Sequence, residues 1–142
     1  MEKLPPIEKV FEAWTAIADN RVTLHENQAD VSSSDGTKGY TVKFDGNTYS
    51  SDDNATYWRG YAGYPVLAVL MLKGLLPSDR REAELWQGVN WKQINTRYKN
   101  DYAKAVAEVA ARRHIDLKQS YKAAHEVIDK LRNLDIKIKR KI

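Results

Sequence analysis

The chain has no cysteine among its 142 residues. That excludes disulfides, thiolate metal sites and cysteine nucleophiles. Long hydrophobic runs are missing as well. The longest, Val66 to Leu72, is seven residues, against the ~20 that a membrane-spanning helix needs. The opening stretch MEKLPPIEKV carries no apolar segment of signal-peptide type. These absences predict a cytoplasmic protein with no membrane contact. Histidine is scarce: His25, His114 and His125 stand alone, with no pair at metal-ligand spacing and no HExxH. No GxSxG elbow, P-loop, dinucleotide fingerprint or EF-hand spacing occurs. The expectation is therefore no catalytic constellation, no metal and no cofactor.

What is present is ordinary in amount and uneven in placement. Hydrophobic residues make up 42% and charged residues 30%, a balance that supports a packed core and is too apolar for disorder. The length suits a single domain spanning residues 1–142. Net charge is +4, but residues 1–57 carry five basic against ten acidic side chains, while residues 58–142 carry eighteen against nine. The last eleven residues alone stand at +4. Such asymmetry points to an acidic partner, or to two halves attracting each other within one fold.

The periodicities predict an α+β fold. Ile7, Val10, Phe11, Trp14, Ile17 and Ala18 form one apolar stripe of a helix over residues 6–19. Residues 21–31 alternate and then change phase, which reads as a bulged strand or two short pieces. Tyr40, Val42 and Phe44 alternate with polar residues, and Asp45-Gly46 signals a two-residue hairpin turn. That register sets Val42 opposite Tyr49. Val66 to Leu72 is apolar on every side, as a buried central helix should be. Ser78 is the expected cap of a short helix ending at Gly88. Asn90 and Asp116, each with Gln three residues on, open helices over about 91–113 and 117–132. In the first of these, Tyr98 and Tyr102 share the inner face. Ile136, Ile138 and Ile142 alternate with Lys137, Lys139 and Lys141, as in a terminal strand with a lysine face. The expected architecture is an antiparallel sheet, made of an N-terminal three-stranded meander plus a C-terminal strand, packed against four to five helices.

Two segments carry candidate binding chemistry. Tyr57-Trp58-Arg59-Gly60-Tyr61-Ala62-Gly63-Tyr64 crowds four aromatic rings and an arginine into eight residues. Rings left at the surface stack on bases or on a partner's side chains. Lysines along a strand repeat at ~6.8 Å, comparable to phosphates along a nucleic-acid strand, and they also protect a sheet edge. The leading expectation is a non-enzymatic binding module for nucleic acid or another polyanion. Phosphates would contact Arg59, Arg112, Arg113, Lys137, Lys139, Arg140 and Lys141, and Trp58, Tyr61 and Tyr64 would stack or meet a partner. A second reading is a protein-interaction or homodimeric assembly subunit using the same aromatics. A third is a small anion-binding domain or enzyme, with a pocket where GYAGY enters the buried helix, Arg59 as clamp, and His114 or Asp116 as acid–base groups.

Overall fold

The computed structural model describes residues 3–142. It is an α+β fold. The elements run α1 (Lys9–Ala18), β1 (Val22–Leu24), β2 (Gln28–Ser32), β3 (Gly39–Asp45), β4 (Thr48–Ser51), a π-type helical turn (Ala55–Arg59), α2 (Tyr64–Leu72), α3 (Arg80–Leu85), α4 (Trp91–Arg97), α5 (Tyr102–Arg113), α6 (Leu117–Arg132) and β5 (Lys137–Ile138). The five strands form one sheet in the order β1-β2-β3-β4-β5.

The N-terminal meander has four strands rather than three, because residues 21–32 turn back on themselves as β1 and β2. The sheet is also mixed, not purely antiparallel: β5 lies parallel to β4. A parallel neighbour needs a long crossover connection, and the whole helical half of the chain intervenes between β4 and β5. The expected strand over 136–142 shrinks to Lys137–Ile138, after which the chain leaves the sheet.

The β3–β4 hairpin forms, one residue later than Asp45-Gly46 would place it. Asp45 pairs with Thr48, and Phe44 rather than Val42 faces Tyr49. Gly46 is thus the first central turn residue, with φ of +58°, the position a type II′ turn reserves for glycine. The slip moves the pairing by two residues, so Tyr49 keeps the expected face.

Helix α2 lies on the sheet against β1, β3 and β4, and α1 packs on the other side of α2. Every residue from Pro65 to Met71 is buried as a result. This sandwiched position explains an apolar run with no polar side. Helix α1 is covered in turn by α3 and α6, with Phe11 set edge-on to Trp14, Trp86 and Tyr121.

Four helices, α3 to α6, start at side-chain caps. Asn90 and Asp116 accept the N–H of Gln93 and Gln119 at 3.1 and 3.2 Å. The short helix α3 is capped by Asp79, which accepts from Glu82 N–H at 3.0 Å, rather than by Ser78. The helix expected over 91–113 is broken in two. Lys99 and Asn100 take left-handed conformations, φ +52° and +64°, and Asp101 caps a new helix through Lys104 N–H at 3.3 Å. Asparagine tolerates that conformation better than most residues. Tyr98 and Tyr102 therefore do not share a face. Tyr98 donates to Glu108 at 3.1 Å, while the Tyr102 ring faces Lys9. No helix among the described residues is long and apolar enough to cross a membrane.

Candidate functional site

The aromatic segment divides at Gly60. Upstream, residues 55–59 wind a wide π-type turn that starts from a buried carboxylate. Asp53 accepts from Thr56 N–H at 3.1 Å and from the Ser51 hydroxyl. Single π-type turns are uncommon and often occur at functional sites. Gly60 ends the turn at φ +74°. Downstream, Gly63 N–H donates to Thr56 Oγ1 at 2.9 Å, and a Cβ at Gly63 would fall 2.3 Å from Asp53 Oδ2. Only glycine lets the chain pass this close to the carboxylate as it enters α2.

This geometry throws Trp58 outward. Its side chain is 67% exposed, against full burial for most large aromatic side chains in the core. Tyr57 meets it edge-on, with ring centroids 4.7 Å apart. The Arg140 guanidinium lies over both rings, 5.1 Å from the Tyr57 centroid and 5.5 Å from that of Trp58. A cation over an exposed ring contributes roughly 0.5–1 kcal/mol, enough to dock the C-terminal tail on the turn.

Two grooves flank this stack. One, with a volume of about 520 Å³, runs between the outer sheet face and the tail and is lined by Lys43, Asp52, Tyr57, Arg140 and Lys141. The other, of about 500 Å³, runs beside β5 and is lined by Lys3, Gly60, Asp135, Lys137 and Lys139. Lys3 reaches across to donate to the Arg59 carbonyl. Six cations thus line the two grooves, Lys3, Lys43, Lys137, Lys139, Arg140 and Lys141, against the two carboxylate side chains Asp52 and Asp135. No ion pair with another described residue forms at Lys43, Arg59, Lys137, Lys139 or Lys141. The lysine face is nevertheless not one row. Because β5 ends at Ile138, Lys141 turns into the first groove while Lys137 and Lys139 stay in the second.

The structure does not bring the other expected residues here. Arg112 pairs with Glu108 at 3.3 Å. Arg113 donates to the carbonyls of Leu85 and Gln87 at 3.0 and 2.7 Å, fastening the end of α5 to the α3–α4 connection. Both line a separate hollow with Asn90 and Arg97. Tyr61 is half-buried, with Lys3 6.0 Å above its ring. Tyr64 points inward, where burial pushes its hydroxyl up to about 12.

The model of one protein family matches residues 2–137. The chain belongs to that family, described as uncharacterised conserved protein UCP014422. Neither the curated proteins nor the solved structures contain a match to it. Trp58, Arg59 and Lys137 fall inside the span matched by the UCP014422 model, and Lys139, Arg140 and Lys141 lie beyond it.

Lys3 and Lys43 are the members of this surface that the sequence reading missed. Lys43 had a visible signal: it is an outward position in the alternation of β3. Its proximity to the tail depends on sheet order and on the tail's path, which alternation does not encode. Among the described residues no group of three His, Asp or Glu side chains is placed to hold a metal ion.

Proposed function

We propose that this protein is a non-enzymatic binding module for a polyanion, and that single-stranded nucleic acid is the class its surface fits best. The observation that carries the reading is Trp58, 67% exposed and backed by the Arg140 guanidinium, next to two grooves lined by lysines. An exposed indole is costly to keep in water and is well suited to stack on an unpaired base, worth ~1–3 kcal/mol per base. The lysines on either side supply backbone contacts that need no sequence. A duplex offers no free base face, so single strands are favoured. Self-association through this surface would bring like charges together.

The test is fluorescence anisotropy of labelled single- and double-stranded DNA and RNA over a salt series. Log affinity should fall with log salt by about 0.7 per phosphate contact on single strands. The Lys137→Ala/Lys139→Ala variant should lower that slope by more than one unit. Trp58→Ala should weaken single-strand binding and leave the slope unchanged. Absence of binding at low salt would end the proposal. Binding of an acidic protein in its place would transfer the same surface to a protein partner.

A further inference from the structure

A cavity of about 230 Å³ lies on the inner side of the same chain segment, where α1, the entry to β1, the β2–β3 loop, residues 53–55, α4 and the start of α5 converge. Its floor is a buried ion pair. Lys9 Nζ lies 3.1 Å from Glu12 Oε2, with the two side chains 10% and 8% exposed. Burial pushes the Glu12 pKa up, and Lys9 and the neighbouring Asn95 amide draw it back. The Lys9 ammonium stands 4.1 Å above the Tyr102 ring. The break at Lys99 and Asn100 is what brings that ring here.

Stability alone does not account for the pair. Replacing a buried ion pair by apolar side chains of like volume is commonly neutral or favourable. Here it faces a polar space rather than a packed core. The opposite wall is cationic. Arg21 donates to the Ser32 carbonyl and lies near enough to Tyr64 to draw its pKa back; the Tyr64 ring meets Tyr40 edge-on at 6.4 Å. Lys38 and Lys92 also line the space.

Asp53 also lines the space, but its oxygens are occupied by Ser51 and Thr56. Glu12 is answered by Lys9. Asp35 takes Lys92 at 3.4 Å, and Asp19 stands 3.7 Å from Arg21 Nε, outside the lining. Counting only the groups that line it, the cavity holds four cations and two carboxylates. At ~30 Å³ per water it has room for about eight. That is the size of an amino acid or a sugar phosphate, and it is too small for a dinucleotide.

We propose that this cavity binds a small hydroxylated oxyanion, its carboxylate or phosphate held by Arg21 and Lys38 and its hydroxyl facing Asn95 and the Lys9–Glu12 pair. This site is separate from the Trp58 surface and does not depend on it.

The experiment is a titration of the ¹⁵N-labelled full chain, followed by backbone amide shifts, with glycerol 3-phosphate, glycolate and inorganic phosphate as probes. Glycerol 3-phosphate or glycolate should give saturable shifts centred on Ser34, Asn95 and Asn100. Which of the two binds more tightly identifies the oxyanion as phosphate or carboxylate. Inorganic phosphate should bind more weakly than glycerol 3-phosphate, because it has no carbon-borne hydroxyl to reach the floor. Arg21→Gln should weaken binding about tenfold, the worth of one charge-assisted hydrogen bond. Lys38→Gln, at an exposed position where folding is not at risk, should weaken it in the same direction. Three outcomes overturn the proposal: no saturable shift at the cavity with any probe, shifts unchanged in both variants, or shifts confined to residues 137–141. The last would assign anion binding to the outer surface alone.

Discussion

The Trp58 surface and the Lys9–Glu12 cavity are separated by the stretch from Asp53 to Tyr64, yet they are built in opposite ways. On the surface the charges are solvated and largely unpaired, so each contributes little to folding. They come mainly from two short segments, residues 57–61 and 137–141. In the cavity the Lys9–Glu12 pair is buried, and removing one member leaves its partner stranded in a poor solvent. The residues that line the cavity come from segments spread between Lys9 and Tyr102. A surface site of this kind can change without endangering the fold. A cavity of this kind is part of the fold, so its ligand chemistry and its stability are coupled.

The sharpest way to break this comparison is Lys9→Met. It should cost about 3–5 kcal/mol, because Glu12 is left as an uncompensated buried carboxylate. The deficit should shrink in acid. Burial has already raised the Glu12 pKa above the ordinary glutamate value of 4.5, and the protonated form needs no partner. Lys9→Met/Glu12→Leu should recover most of the loss in urea denaturation. If the single variant is as stable as the parent, the cavity charges are solvated after all.

Gly63→Ala comes next, at about 1–3 kcal/mol for forced overpacking. The new Cβ would fall 2.3 Å from Asp53 Oδ2 and displace the carboxylate. Adding Asp53→Ala should relieve part of that penalty, so the two changes should be non-additive. Strict additivity in thermal melts would contradict the close approach.

Alkaline pH separates the regions without mutation. Burial raises Tyr40 and Tyr61 above 10.0 and Tyr64 to about 12. Burial pulls Lys9 down most strongly of any single cause, but Glu12, Tyr102 and Tyr61 together outweigh it, and its pKa ends above 10.5. In each case the folded state favours the protonated form. That stabilisation is complete below the unfolded value and is lost as pH rises through the folded one. The melting temperature should therefore fall as pH rises from 10 toward 12, and Tyr64→Phe should soften the fall. An unchanged profile in Tyr64→Phe would mean that its hydroxyl is not held by the fold.

The smallest effect on folding is expected at the surface. Trp58→Ala should lower stability by no more than about 1 kcal/mol, the worth of its contact with Arg140, while single-strand binding drops by ~1–3 kcal/mol. A large loss of stability would show that the indole is packed and not presented.

The class of fold was legible because local periodicity carries it. The α1 stripe, the all-apolar α2 run and the caps at Asn90 and Asp116 depend on residues within a few positions of one another. The misread elements are those where periodicity continued across a break. The inner stripe of residues 91–113 runs through Asn100 without a phase change, so the helix looked unbroken, and Asn100-Asp101 was the signal overlooked. Of the surface site, Trp58 and the C-terminal lysines were visible as dense clusters, whereas Lys43 was a lone lysine on a strand. Arg113 read as a phosphate contact because a sequence does not show which carbonyls its guanidinium will reach.

By itself, then, the sequence determined α1, α2 and α6, the β3–β4 hairpin and the crowding of rings and cations into two segments. These follow from side-chain spacing, turn chemistry and composition, which act over short distances along the chain. The tertiary structure alone decided that β5 runs parallel to β4, that the lysines split between two grooves, and that Asp53 is buried beneath Gly63. It also decided that Lys9 and Glu12, an unexceptional i, i+3 pair, lose their water to Asn95 and Tyr102. Whether such a pair is a solvated ornament or a buried charge depends on the dielectric of what packs against it, and that is set by segments far away in the chain.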